Sequence, residues 1–265
     1  MKNDRLKSIL GIPYFLFLVI FVVCPVLILL YYAFTNGAGE FSLANFTLFF
    51  TDSKAIGTLI YSVMVAVVTT IVCLLIAYPV AYLLAKGEFQ RGNVLLMLFV
   101  MPMWINFTLR ITALKEILTL IEGNLAFHPF LNTVIGMTYD FLPFMILPIY
   151  NALVRIRKDL IEAARDLGAG NLLVFFKIIL PLSLSGVFSG IIMVFVPALT
   201  SFVISDLLGG GKVLLIGNVI EQSFMQGMDW HLGSGLSIVL MIFVIASMAF
   251  MNRQDKENEG GNAVW

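Results

Sequence analysis

Acidic and aromatic side chains in or beside long apolar runs are the residues best suited to chemistry. Asp140 lies within the run 132–154, Asp206 ends the run that starts after Lys177, and Glu221 follows in the next polar segment. Carboxylates attract ammonium groups by charge, and aromatic faces attract them through their quadrupole. The pattern therefore indicates a surface that receives a cation, and its candidate residues are Trp104, Tyr139, Asp140, Asp206 and Glu221.

The residues give no support to enzymatic or metal chemistry. Cys24 and Cys73 lie inside apolar runs, and the two histidines form no Cys/His cluster for zinc. The sequence contains no nucleotide-binding loop of the G-x-x-x-x-G-K-[ST] type and no credible set of nucleophile, base and orienting group. A net charge of zero gives no basic surface for nucleic acid. We therefore expect no catalytic site, no metal site and no cofactor in this chain.

The candidate residues lie in or between long stretches that contain few or no charged residues. Of the residues, 60% are hydrophobic and 12% charged, and the mean hydropathy is +0.99. About 20 apolar residues cross the hydrocarbon core as a helix, which satisfies its own backbone hydrogen bonds. The sequence therefore predicts an all-α membrane protein with six transmembrane helices, in a membrane domain covering 9–251. The predicted spans are 9–33, 57–85, 93–112, 132–154, 178–206 and 231–251.

The distribution of basic residues predicts the orientation. With a cytoplasmic N-terminus, 12 of the 16 Lys and Arg residues fall on the inner side and 4 on the outer side. The outer four are Lys54, Arg110, Lys115 and Lys212. The positive-inside rule then places both termini, 1–8 and 252–265, in the cytoplasm. The polar tail after Met251 is expected to be disordered.

The inner loop 155–177, here named the coupling segment, has its own helix signals. Asp159 followed by Glu162 has the spacing of a capping box, and Gly168 can end the helix in a left-handed conformation. Asn171 is expected to cap a second helix that continues into span five. One face of the first helix carries Leu160, Ala163, Ala164 and Leu167, at helical spacing.

The same loop resembles the EAA loop of permeases of binding-protein-dependent ABC importers, the MetI-like family. The matching residues are Glu162-Ala163-Ala164, then Gly168, then Ile178-x-Leu180-Pro181. An ordinary amphipathic connector would rarely reproduce this full spacing. The resemblance implies a MetI-like fold and a loop that docks in a groove of a cytoplasmic ATPase. The implied coupling residues are Glu162, Ala163, Ala164, Arg165, Asp166, Gly168 and Pro181.

Further blocks resemble permeases of this family that carry spermidine and putrescine. They are Met101–Asn106, Leu142–Met145, Ser205–Gly210 and Leu214–Ile220. The resemblance implies polyamine cargo and a multi-pass location in the cell membrane. It also implies three kinds of partner: a second permease, a homodimeric ATPase that binds ATP and Mg²⁺, and an extracytoplasmic polyamine-binding protein.

The roles of the candidate residues remain open between alternatives. Asp140 could face the translocation path, or pair with a polar neighbour or lie near the outer leaflet. Asp206 could anchor the mouth of the path or contact the binding protein. The aromatic residues could line the path or belong to the interfacial aromatic belt, which we favour for Trp230.

Other functions also remain open at this stage. A related permease for another small solute delivered by a binding protein would share the EAA loop. An ion-coupled secondary transporter would be expected to show inverted repeats, and a membrane enzyme or assembly factor would need a catalytic cluster or a soluble domain. The sequence shows none of these features.

Overall fold

A computed structural model describes residues 13–51, 53–87 and 92–262 of the chain. The predicted N-terminal segment 1–8, the start of the first span and the end of the tail lie outside these ranges. The helices are α1 (Pro13–Ala33), α2 (Ala44–Thr51), α3 (Ser53–Lys86), α4 (Gly92–Val100), α5 (Phe107–Glu122), α6 (Pro129–Arg155), α7 (Lys158–Asp166), α8 (Asn171–Thr200), α9 (Val203–Leu208), α10 (Ile216–Met225) and α11 (Trp230–Asn262).

The predicted all-α membrane fold is confirmed. Within the described ranges, five helices are long and apolar enough to cross a membrane: α1, α3, α6, α8 and the part of α11 up to Met251. A sixth span is obtained when α4 and α5 are counted together.

The third predicted span, 93–112, is a bent pair of helices rather than one rod. The helices on either side of the break differ in direction by 95°. Pro102 lies in a 3₁₀ turn over Met101–Trp104, where its missing N–H weakens helix continuation. Asn106 then starts α5, because its side chain accepts hydrogen bonds from the N–H groups of Thr108 (2.9 Å) and Leu109 (3.4 Å).

Two further boundaries differ from the sequence prediction. Span five ends at Thr200 rather than 206, because Ser201 turns to an extended conformation with ψ of 136°. The tail that was expected to be disordered instead continues α11 to Asn262. Extending an existing helix adds one hydrogen bond for each residue ordered, and Arg, Gln, Lys and Glu are good helix formers.

The chain forms two compact units. The first contains the chain up to Gly57 and Val219–Phe243. Its polar centre is Asn45, whose side chain donates to the carbonyl oxygens of Ala33 (2.9 Å) and Thr35 (3.0 Å). These bonds fix the turn after α1, while the ring of Trp230 packs on Tyr32 at 5.9 Å between centroids.

The second unit contains Thr58–Asn218 and the chain from Val244 onward. Its core lies along α6, where Met137, Met145, Ile146 and Ile149 are fully buried. Helix α8 approaches α6 closely at Gly186, where a Cβ atom would lie 2.6 Å from the carbonyl oxygen of Pro148. Helix α6, 27 residues long, therefore forms the axis that links the two ends of this unit.

Candidate functional site

The coupling segment begins with α7, a nine-residue helix whose cap differs from the prediction. The N-cap position is Arg157, and no side chain caps the helix there. The predicted cap, Asp159, lies inside the first turn and pairs with the guanidinium of Arg157. That hydrogen bond lowers the pKa of Asp159 below its ordinary value of 3.8. The capping-box interpretation was wrong because Arg157 is a competing partner two residues away.

The end of α7 matches the predicted glycine stop. Gly168 has φ of +86°, which a side chain would disfavour. The N–H of Ala169 donates to Ala164 O at 3.0 Å, and the N–H of Gly168 donates to Arg165 O at 2.8 Å. This pair of bonds is a Schellman motif, which satisfies the last carbonyl groups of the helix.

The second helix of the loop also starts as expected, but with a different cap. Gly170 takes the N-cap position of α8. The Asn171 side chain instead accepts a hydrogen bond from Arg165 at 3.2 Å across the turn. The helix then passes through a π-helical turn, Phe175–Ile179, before Pro181 and without interruption.

The surface of α7 is mostly exposed, which leaves it free to contact another molecule. Ile161 is the residue that packs inward. Leu160 and Leu167, on the predicted apolar face, are 46% and 90% exposed. The coupling residues Glu162, Ala163, Arg165 and Asp166 are exposed and Ala164 is half-buried. A short projecting helix with exposed leucines and charges suits insertion into a groove of a partner.

A cavity of about 380 Å³ lies behind α7. Lys86, Lys158, Glu162 and Arg165 line it, together with apolar residues of α8. The Lys86 ammonium donates to Ile156 O at 2.8 Å, which ties the end of α3 to the residue between α6 and α7.

Asp140 lies against a partner within the protein. It is buried on α6 and pairs with the guanidinium of Arg110 on α5. Arg110, counted above among the outer loop charges, is therefore a buried helix residue. Among the alternatives given for Asp140, the structure shows the pair with a polar neighbour. Taking Arg110 out of the loop count leaves 12 inner and 3 outer residues, and the orientation stays a prediction.

The two candidate aromatic residues are accessible. Trp104 is 84% exposed and lies at the break between α4 and α5. Tyr139 is 42% exposed, and its helix position points about 100° away from Asp140. In the part of the chain that the structure describes, neither ring has a contact that assigns it to a path or to the aromatic belt.

Asp206 is held by a residue that the sequence analysis missed, Asn218. The Asn218 amide, fully buried, donates to Asp206 Oδ1 and to Phe202 O at 3.2 Å. Its oxygen accepts from Ser205 Oγ and from Leu215 N, both at 2.8 Å. The Asp206 carboxylate thus stays exposed while its direction is fixed. Asn218 follows Gly217 in the sequence and looks like an ordinary turn residue, so its role had no local signal.

The first unit holds the remaining acidic candidate, Glu221, and a further carboxylate, Asp229. Glu221 is half-buried on α10. Asp229 accepts a hydrogen bond from Leu232 N at 2.9 Å and so caps α11. Trp230 beside it packs on Phe224 with centroids 5.4 Å apart. Asp229 therefore has a structural role that accounts for its position.

The glycine-rich turn after α9 is packed rather than open. Gly210 has φ of +57°, and a Cβ there would lie 2.7 Å from Ala126 N. Lys212 donates to Ala126 O at 2.9 Å. Within the described ranges, no group of three His, Cys, Asp or Glu residues could hold a metal ion.

Comparison with known proteins supports the resemblance found in the sequence analysis, both in sequence and in fold. Residues 77–256 match the family described as binding-protein-dependent transport system inner membrane component. The spermidine/putrescine transport system permease protein PotB of Haemophilus influenzae is 36% identical over 96% of both chains. PotB of Escherichia coli is 38% identical over 76% of this chain and 78% of its own.

Solved structures share the fold at low sequence identity. A bacterial alginate ABC transporter, solved with an alginate-bound periplasmic protein, matches with a TM-score of 0.78 at 15% identity, covering 97% of this chain and 96% of that chain. The MetNI methionine ABC transporter matches with a TM-score of 0.62 at 19% identity, covering 82% of this chain and 99% of that chain. At these identities the likeness concerns the fold alone.

Proposed function

The chain belongs to the family of binding-protein-dependent transport system inner membrane components. On this premise we propose that it forms half of the translocation pathway through which polyamines cross the membrane. It is a multi-pass membrane permease of an ATP-driven importer, and a transport subunit rather than an enzyme. The relatives similar over most of the chain are named as spermidine/putrescine permeases, which supports polyamines as its cargo.

The observation that carries the proposal is the form of the coupling segment. A short, exposed helix ends in a Schellman turn at Gly168 and continues directly into span five. Force applied to α7 therefore acts on a membrane helix through an ordered turn. This arrangement supports docking of Glu162–Gly168 in a groove of the ATPase.

An importer of this family works with an ATPase and a binding protein. We propose the finer assignment to a PotC-like second permease, a homodimeric PotA-like ATPase and a PotD-like extracytoplasmic binding protein. ATP and Mg²⁺ would be bound by the ATPase, since the sequence has no nucleotide-binding loop.

Asp206 is our main candidate for contact with cationic cargo. Its carboxylate is exposed, and Asn218 fixes its direction. A fixed charge attracts an ammonium group without losing side-chain freedom on binding. Glu221, Trp104 and Tyr139 remain secondary candidates, and the pairing of Asp140 with Arg110 supports a structural role there.

Uptake by the reconstituted complex tests the cargo. Labelled spermidine and putrescine are offered to proteoliposomes holding both permeases and the ATPase, with the binding protein outside. We expect ATP-dependent uptake of polyamines and none of unrelated sugars or anions. Uptake of another solute alone would replace the cargo, and uptake by the single chain on an ion gradient would favour a secondary transporter.

Two substitutions at Gly168 test the coupling role. Gly168→Trp adds bulk in front of the docking face, whereas Gly168→Ala brings the same backbone strain without the bulk. We expect the Trp variant to keep ATP hydrolysis and lose uptake, and the Ala variant to keep most of both. Normal uptake by the Trp variant would contradict docking at this turn.

A further inference from the structure

Three aromatic rings join α3 to the beginning of α8. The ring of Phe175 meets Tyr78 edge to face, with centroids 5.9 Å apart, and meets Tyr82 in the same way at 5.6 Å. The two tyrosines are four residues apart, so they lie on one face of α3. We name these three residues the aromatic clasp. Phe175 is the member that belongs to the coupling segment.

Two hydrogen bonds flank the clasp. Tyr78 Oη and Ser183 Oγ are hydrogen-bonded at 2.9 Å, two helical turns beyond Phe175 on α8. The Lys86 ammonium donates to Ile156 O at 2.8 Å. One end of α3 is thus attached to both ends of the coupling segment, at Ile156 and at Phe175.

The chain between α7 and the clasp is ordered. The Schellman bonds and the bond from Arg165 to Asn171 hold the turn, and α8 then continues without a break. The π-helical turn begins at Phe175 itself. Such turns insert one extra residue into a helix and are frequent at functional sites. A displacement of α7 is therefore passed along the backbone to Phe175.

Helix α3 contains a proline beside the aromatic clasp, where the helix is expected to bend easily. Pro79 lies inside the helix, between Tyr78 and Tyr82. A proline removes one hydrogen bond of the helix and causes kinks. A pull on the two tyrosine rings would therefore bend α3 at this proline before it moved the whole 34-residue helix.

We propose that Phe175 is a positioning residue that transmits movement of the coupling segment to α3 through the aromatic clasp. The inference rests on the proposed coupling function, and adds a second membrane helix to the one that the segment enters directly. Without the clasp, ATP hydrolysis would move α8 while α3 lagged behind.

The test compares Phe175→Leu with Phe176→Leu in the reconstituted complex. Both lose a ring, but Phe176 is 59% exposed, and its ring contact in the described structure is with Phe175, at 5.1 Å between centroids, rather than with α3. The measured quantity is labelled spermidine taken up per ATP hydrolysed. We expect it to fall about fivefold for Phe175→Leu, corresponding to about 1 kcal/mol of lost ring contact. It should stay unchanged for Phe176→Leu, and Phe175→Tyr should restore it.

A purely structural role would reduce ATP hydrolysis and uptake in proportion, so an unchanged ratio for Phe175→Leu overturns the proposal. Equal falls for Phe175→Leu and Phe176→Leu also overturn it. If Phe175→Leu does not assemble, Tyr82→Leu removes one ring contact from the other side, and an unchanged ratio there counts equally against it. Gly168→Trp distinguishes failure of this inference from failure of the proposed coupling function. If Gly168→Trp uncouples ATP hydrolysis from uptake and the clasp variants do not, only the role of the clasp is refuted. If Gly168→Trp also leaves hydrolysis and uptake coupled, the coupling function itself is refuted.

Discussion

The coupling segment and residues 201–218, here named the Asp206 segment, lie at opposite ends of α6 and are held in different ways. In the coupling segment the bonds that order α7 and its turn are local, such as Ala169 N to Ala164 O and Arg165 to Asn171. In the Asp206 segment, bonds also reach distant residues: Lys212 bonds to Ala126, 86 residues away, and Ile216 N bonds to Ser62 Oγ, 154 residues away.

We attribute the difference to the role proposed for each segment. A helix that is proposed to dock must be exposed to its partner, so α7 and its turn are ordered by bonds within the segment, and the contacts with α3 lie at the ends of the segment, at Ile156 and Phe175. A segment that holds Asp206 in one direction needs fixed support, which buried groups such as Asn218 provide. The comparison predicts that substitutions of partnered residues cost much stability where the partners are buried and little where they are exposed, as in the coupling segment.

The largest effect is expected at the buried pair of Arg110 and Asp140, which lies outside both segments and joins the consecutive helices α5 and α6. Asp140→Leu leaves the Arg110 guanidinium buried without its partner, at a cost of about 3–5 kcal/mol. Thermal unfolding of the purified complex and subunit levels in membranes measure it. The double variant Arg110→Leu with Asp140→Leu should recover most of the loss, because apolar side chains can replace a buried pair. A single variant with unchanged stability and uptake would show that the pair is not structural.

A smaller effect is expected for Asn218→Ala compared with Asn171→Ala. The first substitution leaves buried partners unsatisfied, which costs about 1–3 kcal/mol. The second removes one bond between exposed side chains, and we expect a change of only about 0.5 kcal/mol or less. The thermal midpoints of the two variants are compared under identical conditions. Equal shifts would break the contrast between the regions.

The smallest effect is expected at Asp159. The hydrogen bond from Arg157 lowers its pKa, so the carboxylate contributes above the ordinary value of 3.8 and loses its contribution only as pH falls through the lowered value. Between pH 8 and about 5 the difference in thermal midpoint between the natural protein and Asp159→Asn should therefore not change. Because both side chains are exposed, the difference itself should be close to zero. A difference that grows toward pH 5 would point to a less exposed environment.

The sequence predicted features that depend on backbone conformation and missed features that depend on competition between side chains. Gly168 was identified because its stop depends on backbone conformation alone, which glycine tolerates at φ of +86°. The Asp159 and Asn171 caps were wrong because Arg157 and Arg165 compete for their oxygens, and rotamers decide such a competition. The break at Met101–Trp104 contains a visible Pro102, but a proline in an apolar run does not specify a 95° turn.

The sequence alone determined the helical membrane fold, the helix of the coupling segment and its glycine stop, because hydrophobic length and turn chemistry are local properties of a chain. The partner of Asp140, the clamp on Asp206 by Asn218 and the contact of Phe175 with α3 depend on which helices meet. Contacts between residues 12 to about 100 positions apart leave no periodic signal in a single sequence. Packing of α5, α6 and α8 against their neighbours brings those side chains together, and the functional ends of the molecule take their geometry from it.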